Sequence, residues 1–211
     1  MTDDLAAAVE ALAARVSALP EGRRIVAIAG APGSGKSTLA EALAAALPGA
    51  AVLPMDGYHY DDALLEARGL RPRKGAPETF DVGGLAHIID RLRANDEDEV
   101  VVPVFDRSIE VSRGSARPIP RSVRTIVVEG NWLLLDRDPW RMLRPRFDLT
   151  VKLDVPFETL RARLRERWVG YGLDEAAIAE KLDGNDLPNA RLASEGSGPA
   201  DLTVRGGAVV A

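Results

Sequence analysis

The chain is 211 residues long, 46% hydrophobic and free of cysteine, which excludes disulfides, thiolate metal sites and cysteine nucleophiles. Two histidines leave little for a histidine-based metal centre, and a formal net charge of −5 argues against a general nucleic-acid binder. No apolar run approaches the ~20 residues a membrane span needs and Met1-Thr2-Asp3-Asp4 is acidic, so residues 1–211 read as one cytoplasmic α/β domain whose partners are small molecules, not nucleic acid or membrane.

Leu5, Val9, Leu12, Val16 and Leu19 recur at helical spacing, which predicts an amphipathic helix over residues 3–19 with Asp3 as its cap. Its apolar stripe could pack on its own domain or on a second copy, which leaves a homodimer open. The run from Ile25 to Ala29 reads as a buried strand. It leads straight into Gly30-Ala31-Pro32-Gly33-Ser34-Gly35-Lys36-Ser37-Thr38, where Gly30, Gly35, Lys36 and Ser37 occupy the fixed positions of the phosphate-cradling P-loop pattern. An Ala/Leu-rich helix over residues 37–47 follows, as the motif's mechanics demand. The glycines let successive backbone N–H groups turn inward around phosphates, and the helix adds its positive N-terminal end. Lys36 can reach the β- and γ-phosphates and Ser37 can place its hydroxyl on Mg²⁺, so this segment predicts a site for a magnesium nucleoside triphosphate.

Ala51-Val52-Leu53-Pro54-Met55 reads as a short strand ending at Asp56, where α/β sheets bind ligands. Gly57 would let the chain turn away and leave the Asp56 carboxylate facing a pocket, which makes it the candidate general base; the competing reading is a turn-capping aspartate. Residues 57–81 read as an excursion that carries function. There the rings of Tyr58, His59 and Tyr60 could line an acceptor pocket or pack the loop, and Arg68, Arg71, Arg73 and Lys74 suit an anionic metabolite or a wet surface. A helix over residues 82–94 follows, with His87 in the apolar pattern of Leu85, Ile88 and Ile89 and therefore read as structural. After an acidic turn, residues 100–105 read as a strand whose Pro103 favours an edge, and residues 108–120 as a hairpin or mobile loop.

Residues 124–128 form the most hydrophobic strand candidate, and Glu129 ends it. A carboxylate is costly to bury there unless it meets a metal-bound water or a donor, which assigns Glu129 to the Mg²⁺ shell; capping of the segment after it is the alternative. Residues 148–154 read as a further strand, and Pro156 opens a helix at its first position. In that helix Leu160, Leu164 and Trp168 face inward. Arg163 and Arg167 share another face a turn apart, as a lid over the triphosphate or as a solvated face paired with Glu158 and Glu166. Residues 200–205 read as a last strand and the end from Gly206 as loose. The strand–helix alternation predicts a mostly parallel sheet covered by helices on both faces, in three layers.

Taken together, the Gly30 to Thr38 segment, Met55-Asp56-Gly57-Tyr58-His59-Tyr60 and Val128-Glu129-Gly130 resemble the phosphoribulokinase/uridine kinase superfamily of P-loop kinases, over residues 24–204. Glu66-Ala67-Arg68-Gly69-Leu70, the stretch from Lys74 to Asp81 and Asn185-Asp186-Leu187-Pro188-Asn189 look most similar to its pantothenate kinase branch, and some small members carry fructokinase labels. The resemblance implies the P-loop NTPase fold and an ATP-dependent kinase that phosphorylates a hydroxyl of a small metabolite: pantothenate-like, a sugar or a nucleoside. It implies Asp56 as the base, Glu129 as the acid that helps hold Mg²⁺, and Arg163 and Arg167 as the lid that joins Lys36 in neutralising developing charge. It also implies a substrate-hydroxyl contact for Asp81. Tyr58, His59, Arg107 and Asn185 complete the candidate acceptor site, with Arg107 near where related kinases use a histidine. A uridine or nucleoside kinase is the runner-up, and a regulatory ATPase that signals through residues 108–120 is the competing class.

Overall fold

A computed structural model describes residues 3–211; Met1 and Thr2, read above as part of an acidic N-terminus, lie outside it. Its centre is a six-stranded sheet in the order β2-β5-β1-β6-β7-β8, built from β1 (Arg24–Gly30), β2 (Ala50–Pro54), β5 (Thr125–Gly130), β6 (Leu149–Leu153), β7 (Leu202–Arg205) and β8 (Ala208–Val210). Every pairing is parallel except β7 with β8. The remaining strands, β3 (Glu99–Asp106) and β4 (Val111–Pro120), form a separate antiparallel hairpin with a register shift around Pro103. With no N–H to donate, proline is tolerated in a strand at such an irregularity.

Alternation along β1 divides the core in two. Ile25, Ala27 and Ala29 join the cluster under α4 (Val82–Ala94) and α5 (Phe157–Gly170), whereas Val26 and Ile28 join the one under α1 (Asp3–Ser17) and α2 (Lys36–Ala46). Successive side chains of a strand point to opposite faces, so a sheet covered on both sides needs the unbroken apolar runs seen in β1 and β5. Full burial of each Leu, Ile or Val contributes about 1.5–3 kcal/mol, and the two clusters thereby fix the sheet edge on which the loops gather.

Two glycines set the approach of the segment after β2. The chain leaves β2 into a 3₁₀ turn, Met55–Tyr58, rather than continuing as strand to Asp56. Gly57 is needed for space: a Cβ there would meet the Pro103 carbonyl oxygen at 2.6 Å, so β3 rests directly on the turn. Gly130 is as tight, because an added Cβ would meet Met55 Cβ at 2.5 Å. We predict that Gly130→Ala destabilises the protein by about 1–3 kcal/mol, since overpacking must displace Met55 and the turn that carries Asp56. A melting temperature within about 1 °C of wild type would show that the turn gives way freely.

Several elements differ from the sequence reading. Asp3 lies in the first turn of α1, and Pro156 is the N-cap of α5 rather than its first residue. The mobile-loop alternative for residues 108–120 gives way to β4, and the supposedly loose end forms β8 through a turn at Gly206 and Gly207, both with positive φ. Residues 175–195, of which only Asn185 to Asn189 was read, as a motif, fold into α6 (Glu175–Lys181), a π turn (Leu182–Asp186) and α7 (Leu187–Glu195). The short α3 (Asp62–Ala67) and two 3₁₀ turns fill the 57–81 excursion, whose ends are tied by Tyr60 N–H to Thr79 O (3.0 Å) and Asp81 N–H to Tyr58 O (2.8 Å). No helix among the described residues is long and apolar enough to cross a membrane.

Candidate active site

The carboxyl ends of β1, β2 and β5 meet at one edge, because β5 pairs with both others in parallel: Ile28 lies opposite Glu129, and Pro54 opposite the same residue. β1 therefore delivers the loop Gly30 to Gly35, β2 delivers Asp56 and β5 delivers Glu129 to a common place. Gly33 (φ 79°) and Gly35 (φ 91°) adopt the left-handed conformation that lets backbone N–H groups turn inward. At Gly30 a Cβ would meet Ser34 Oγ at 2.6 Å and Leu153 Cβ at 3.1 Å, so a side chain there would have to displace the Ser34 hydroxyl. Lys36 opens α2 and lines the cleft in front of the loop.

Ser37 Oγ donates to Glu129 Oε2 at 3.0 Å, bringing the two candidate magnesium residues together. Glu129 is only 6% exposed, and burial pushes its carboxyl above the ordinary value of 4.5, with the Lys36 charge pulling it back down. A carboxyl raised in the folded state favours folding below pH 4.5, and that advantage is lost as pH rises through the folded value. Glu129→Gln is therefore expected to raise the melting temperature of the nucleotide-free protein by about 2–4 °C at pH 8, with the gain vanishing toward pH 4.5. The same change should lower turnover ~10-fold or more. Thermal melts across pH check the first effect, and a pH-independent difference would contradict it.

The edge opens into a cleft of about 440 Å³ that reaches from Pro32, Gly33 and Lys36 to the 71–75 turn and the β3–β4 hairpin. Asp56 lies on its wall, 23% exposed, with Oδ2 held by Arg107 Nη2 at 2.5 Å. His59 packs between Phe80 and Phe105, at ring separations of 4.0 and 4.7 Å, and its Nδ1 is 2.8 Å from the Asp56 carbonyl oxygen. Burial lowers the imidazole pKa, so the ring is neutral at pH 7. Asn185 donates through Nδ2 to the Lys74 carbonyl (2.9 Å) and accepts from Asn189 Nδ2 (3.1 Å), fixing the π turn to the 71–75 turn.

Helix α5 lies on the P-loop. Leu160 and Leu164 are buried, while Arg163 Nη1 donates to the carbonyls of Gly33 (3.2 Å) and Ser34 (3.4 Å). Arg167 lines the cleft and reaches Asp186 Oδ1 at 3.5 Å; Trp168 Nε1 donates to the other oxygen of Asp186 at 2.6 Å. The solvated-face pairing with Glu158 and Glu166 is not what forms: among the described residues the acids that pair with this helix's exposed arginines are Asp186, through Arg167, and Glu175, through Arg165.

The structure thus gathers Lys36, Ser37, Asp56, His59, Arg107, Glu129, Arg163, Arg167 and Asn185 around one edge, and it separates others. Tyr58 is a correction: its ring is 6% exposed within the core, outside the cleft lining, and its buried phenol is pushed to a higher pKa by desolvation. Asp81 is another, because it is the N-cap of α4, where its Oδ1 accepts from Gly84 N–H at 2.9 Å. Tyr60 is taken by the Arg68 guanidinium, 4.6 Å from the ring centroid, and His87 is exposed on α4 instead of packed in the core. Cleft residues to which sequence reasoning assigned no site role include Phe105 and Lys181, together with Asp186 and Asn189 of the asparagine-proline motif, and Trp168 was assigned to the core face alone. The four-residue step between Asn185 and Asn189 was the available clue to a helical face.

A strand feeding a glycine-rich loop and a lysine at a helix N-terminus, with one carboxylate from β5 and another from the turn after β2, defines the class of P-loop kinases. No protein-family model matches the chain. A crystal structure from Silicibacter sp. TM1040, named as a candidate fructose transport system kinase, is 44% identical, with a TM-score of 0.87 over 96% of this chain and 98% of that one. The uncharacterised Escherichia coli protein YggC is 37% identical over 199 residues, 92% of this chain and 82% of its own length. A candidate uridine kinase of Schizosaccharomyces pombe is 30% identical over 87% of this chain and 83% of its own. The chain also spans about half the length of pantothenate kinases it matches, as in 46% of that of Streptomyces coelicolor. It belongs to the phosphoribulokinase/uridine kinase superfamily of P-loop kinases, and this membership supports a phosphotransferase acting on a small molecule.

Proposed function

We propose that the protein transfers the γ-phosphoryl group of ATP to a hydroxyl of a small metabolite, with Asp56 orienting or deprotonating that hydroxyl. The observation that carries this reading is Asp56 on the wall of the cleft that begins at the P-loop: a carboxylate beside the phosphate cradle, with open space in front of it for an acceptor. Phosphoryl transfer asks mainly for positioning and charge neutralisation. Lys36 supplies positive charge at the β- and γ-phosphates, Arg167 faces the same space, and Arg163 braces the loop through the Gly33 and Ser34 carbonyls.

Ser37 and Glu129 suit a magnesium ion. The Glu129 carboxylate is buried with Ser37 Oγ donating to it, and Mg²⁺ asks for one or two protein oxygens, completing its shell with waters and phosphates. Held by Ser37 and Glu129, Mg²⁺ would supply positive charge that offsets the charge of the triphosphate.

The relatives' names divide among uridine, pantothenate and fructose transport system kinases, so the acceptor is sought among hydroxyl-bearing metabolites of those kinds. ADP release from MgATP, measured across pantothenate, nucleosides, ketohexoses, aldoses and glycerate, tests the proposal. Release that depends on one acceptor supports the kinase and names its substrate class. Acceptor-independent release favours a regulatory ATPase instead.

A further inference from the structure

The acceptor side of the cleft holds more positive charge than its own acids neutralise. Seven lysines and arginines line the cleft against four acidic side chains, in a chain of net charge −5. Lys36 lies on the P-loop, and Arg167 and Lys181 flank Trp168, which leaves Arg71, Arg73, Lys74 and Arg107 for the opposite end. Arg71 and Lys74 both reach Asp62, at 2.9 and 2.5 Å. Arg73 is held only by neutral acceptors, the Gly184 carbonyl (2.9 Å) and Asn189 Oδ1 (3.4 Å), so its guanidinium is oriented while its charge has no carboxylate partner among the described residues.

Arg107 completes the pattern. Lys74 Nζ, paired with Asp62, and the Arg107 guanidinium, paired with Asp56, lie 5.3 and 5.6 Å from the same Phe105 ring centroid, beside His59. An anion arriving between them would be attracted by both. Arg107 is meanwhile bound to Asp56 Oδ2, the group that must face the incoming hydroxyl, and its side chain is 62% exposed. The pair is open to solvent on the arginine side, with Asp56 23% exposed, so the guanidinium can change partners without leaving water.

We propose that the acceptor is a hydroxyl compound bearing an oxyanion, carboxylate or phosphate, which Arg73 and Arg107 receive, and that its arrival draws Arg107 off Asp56. The base is then free to meet the hydroxyl only when an anionic acceptor is seated, which selects against neutral sugars and nucleosides. This proposal rests on the kinase reading for Asp56, while the anion site itself stands on the arginines.

Calorimetric titration of the full chain with Mg²⁺ and a non-hydrolysable ATP analogue tests it. The probes are D-glycerate and pantothenate as carboxylates, fructose 6-phosphate as a phosphate, and fructose and uridine as neutral compounds. At least one anionic probe is expected to bind, with Kd rising ~10-fold or more in Arg107→Gln and in Arg73→Gln. Which arm binds distinguishes carboxylate from phosphate. Because Arg73 also ties two turns together, Arg107→Gln, at an exposed position, is the decisive variant, and matching melting temperatures establish that it is folded. Binding of neutral probes alone, no binding at all, or anion binding indifferent to Arg107→Gln would overturn the proposal. Parallel ADP release separates the two readings: a neutral compound phosphorylated keeps the kinase and sinks the anion site, whereas anion binding that needs Arg107 without any phosphoryl transfer keeps the site and sinks the kinase.

Discussion

Replacing Asp56 with asparagine is expected to lower kcat by ~10²-fold or more while ATP affinity stays within about threefold of wild type. The substitution keeps shape and an oxygen that Arg107 can still donate to, and it removes the negative charge together with the capacity to take a proton. It should also leave the fold intact. Asp56 makes no capping bond in its 3₁₀ turn, which disposes of the turn-capping reading, and the side-chain partner found for its carboxylate is Arg107 on the hairpin. The measurement is steady-state ADP release with the identified acceptor, alongside binding of an ATP analogue and a thermal melt. A rate near wild type would remove Asp56 from the chemistry and leave its ion pair with Arg107 as a structural tie between β2 and the hairpin.

The same turn shows how far local sequence reading reaches. Met55-Asp56-Gly57-Tyr58-His59 announces a functional segment, but its residues divide between core and cleft according to helix type. In a 3₁₀ turn, positions three apart eclipse one another. Met55 and Tyr58 accordingly point together into the core, while Asp56 and His59 point together into the cleft. A reading based on three consecutive rings has no means of making that division. Asp81 fails for a comparable reason: Asp81-Val82-Gly83-Gly84 is itself a helix start, and the local bond to the Gly84 N–H claims the carboxylate.

The phosphate side was legible because strand, loop and helix are contiguous and each glycine has a backbone task. Residues 175–195 were not, since Gly184, Asn185 and Pro188 carry loop signatures while the helices around them are held by tertiary bonds: Asp186 to Trp168, and Asn185 to the Lys74 carbonyl. Those partners are 18 and 111 residues away in sequence, beyond any periodicity. The π turn they stabilise lets Asn185 face the acceptor side while Asp186 holds Arg167 and Trp168, so one five-residue turn touches both ends of the cleft. Gly206 and Gly207 misled in the opposite direction. Two positive-φ glycines form a tight hairpin turn as well as they form a loose tail, and only the partner strand decides.

Lys36→Ala should behave differently from Asp56→Asn, lowering kcat/KM for ATP by ~10²–10³-fold and weakening nucleotide affinity together with turnover. Lys36 stands at the N-terminus of α2 in front of the loop and is partly exposed, so its loss leaves neither a core cavity nor a broken cap. The effect therefore has to come from charge. Lys36 is also the main influence that lowers the pKa of Glu129 against the effect of burial, so the alanine variant should drive that carboxyl further toward its neutral form and weaken magnesium-dependent binding as well. This coupling makes a specific demand on the double variant: Lys36→Ala with Glu129→Gln should cost less than the product of the two single effects, because the second change removes a group the first has already disabled. Fully multiplicative losses would show that Lys36 acts on the phosphates alone. Retained affinity for an ATP analogue in Lys36→Ala would mean that the glycine-rich loop does not hold a triphosphate, and the kinase reading would go with it.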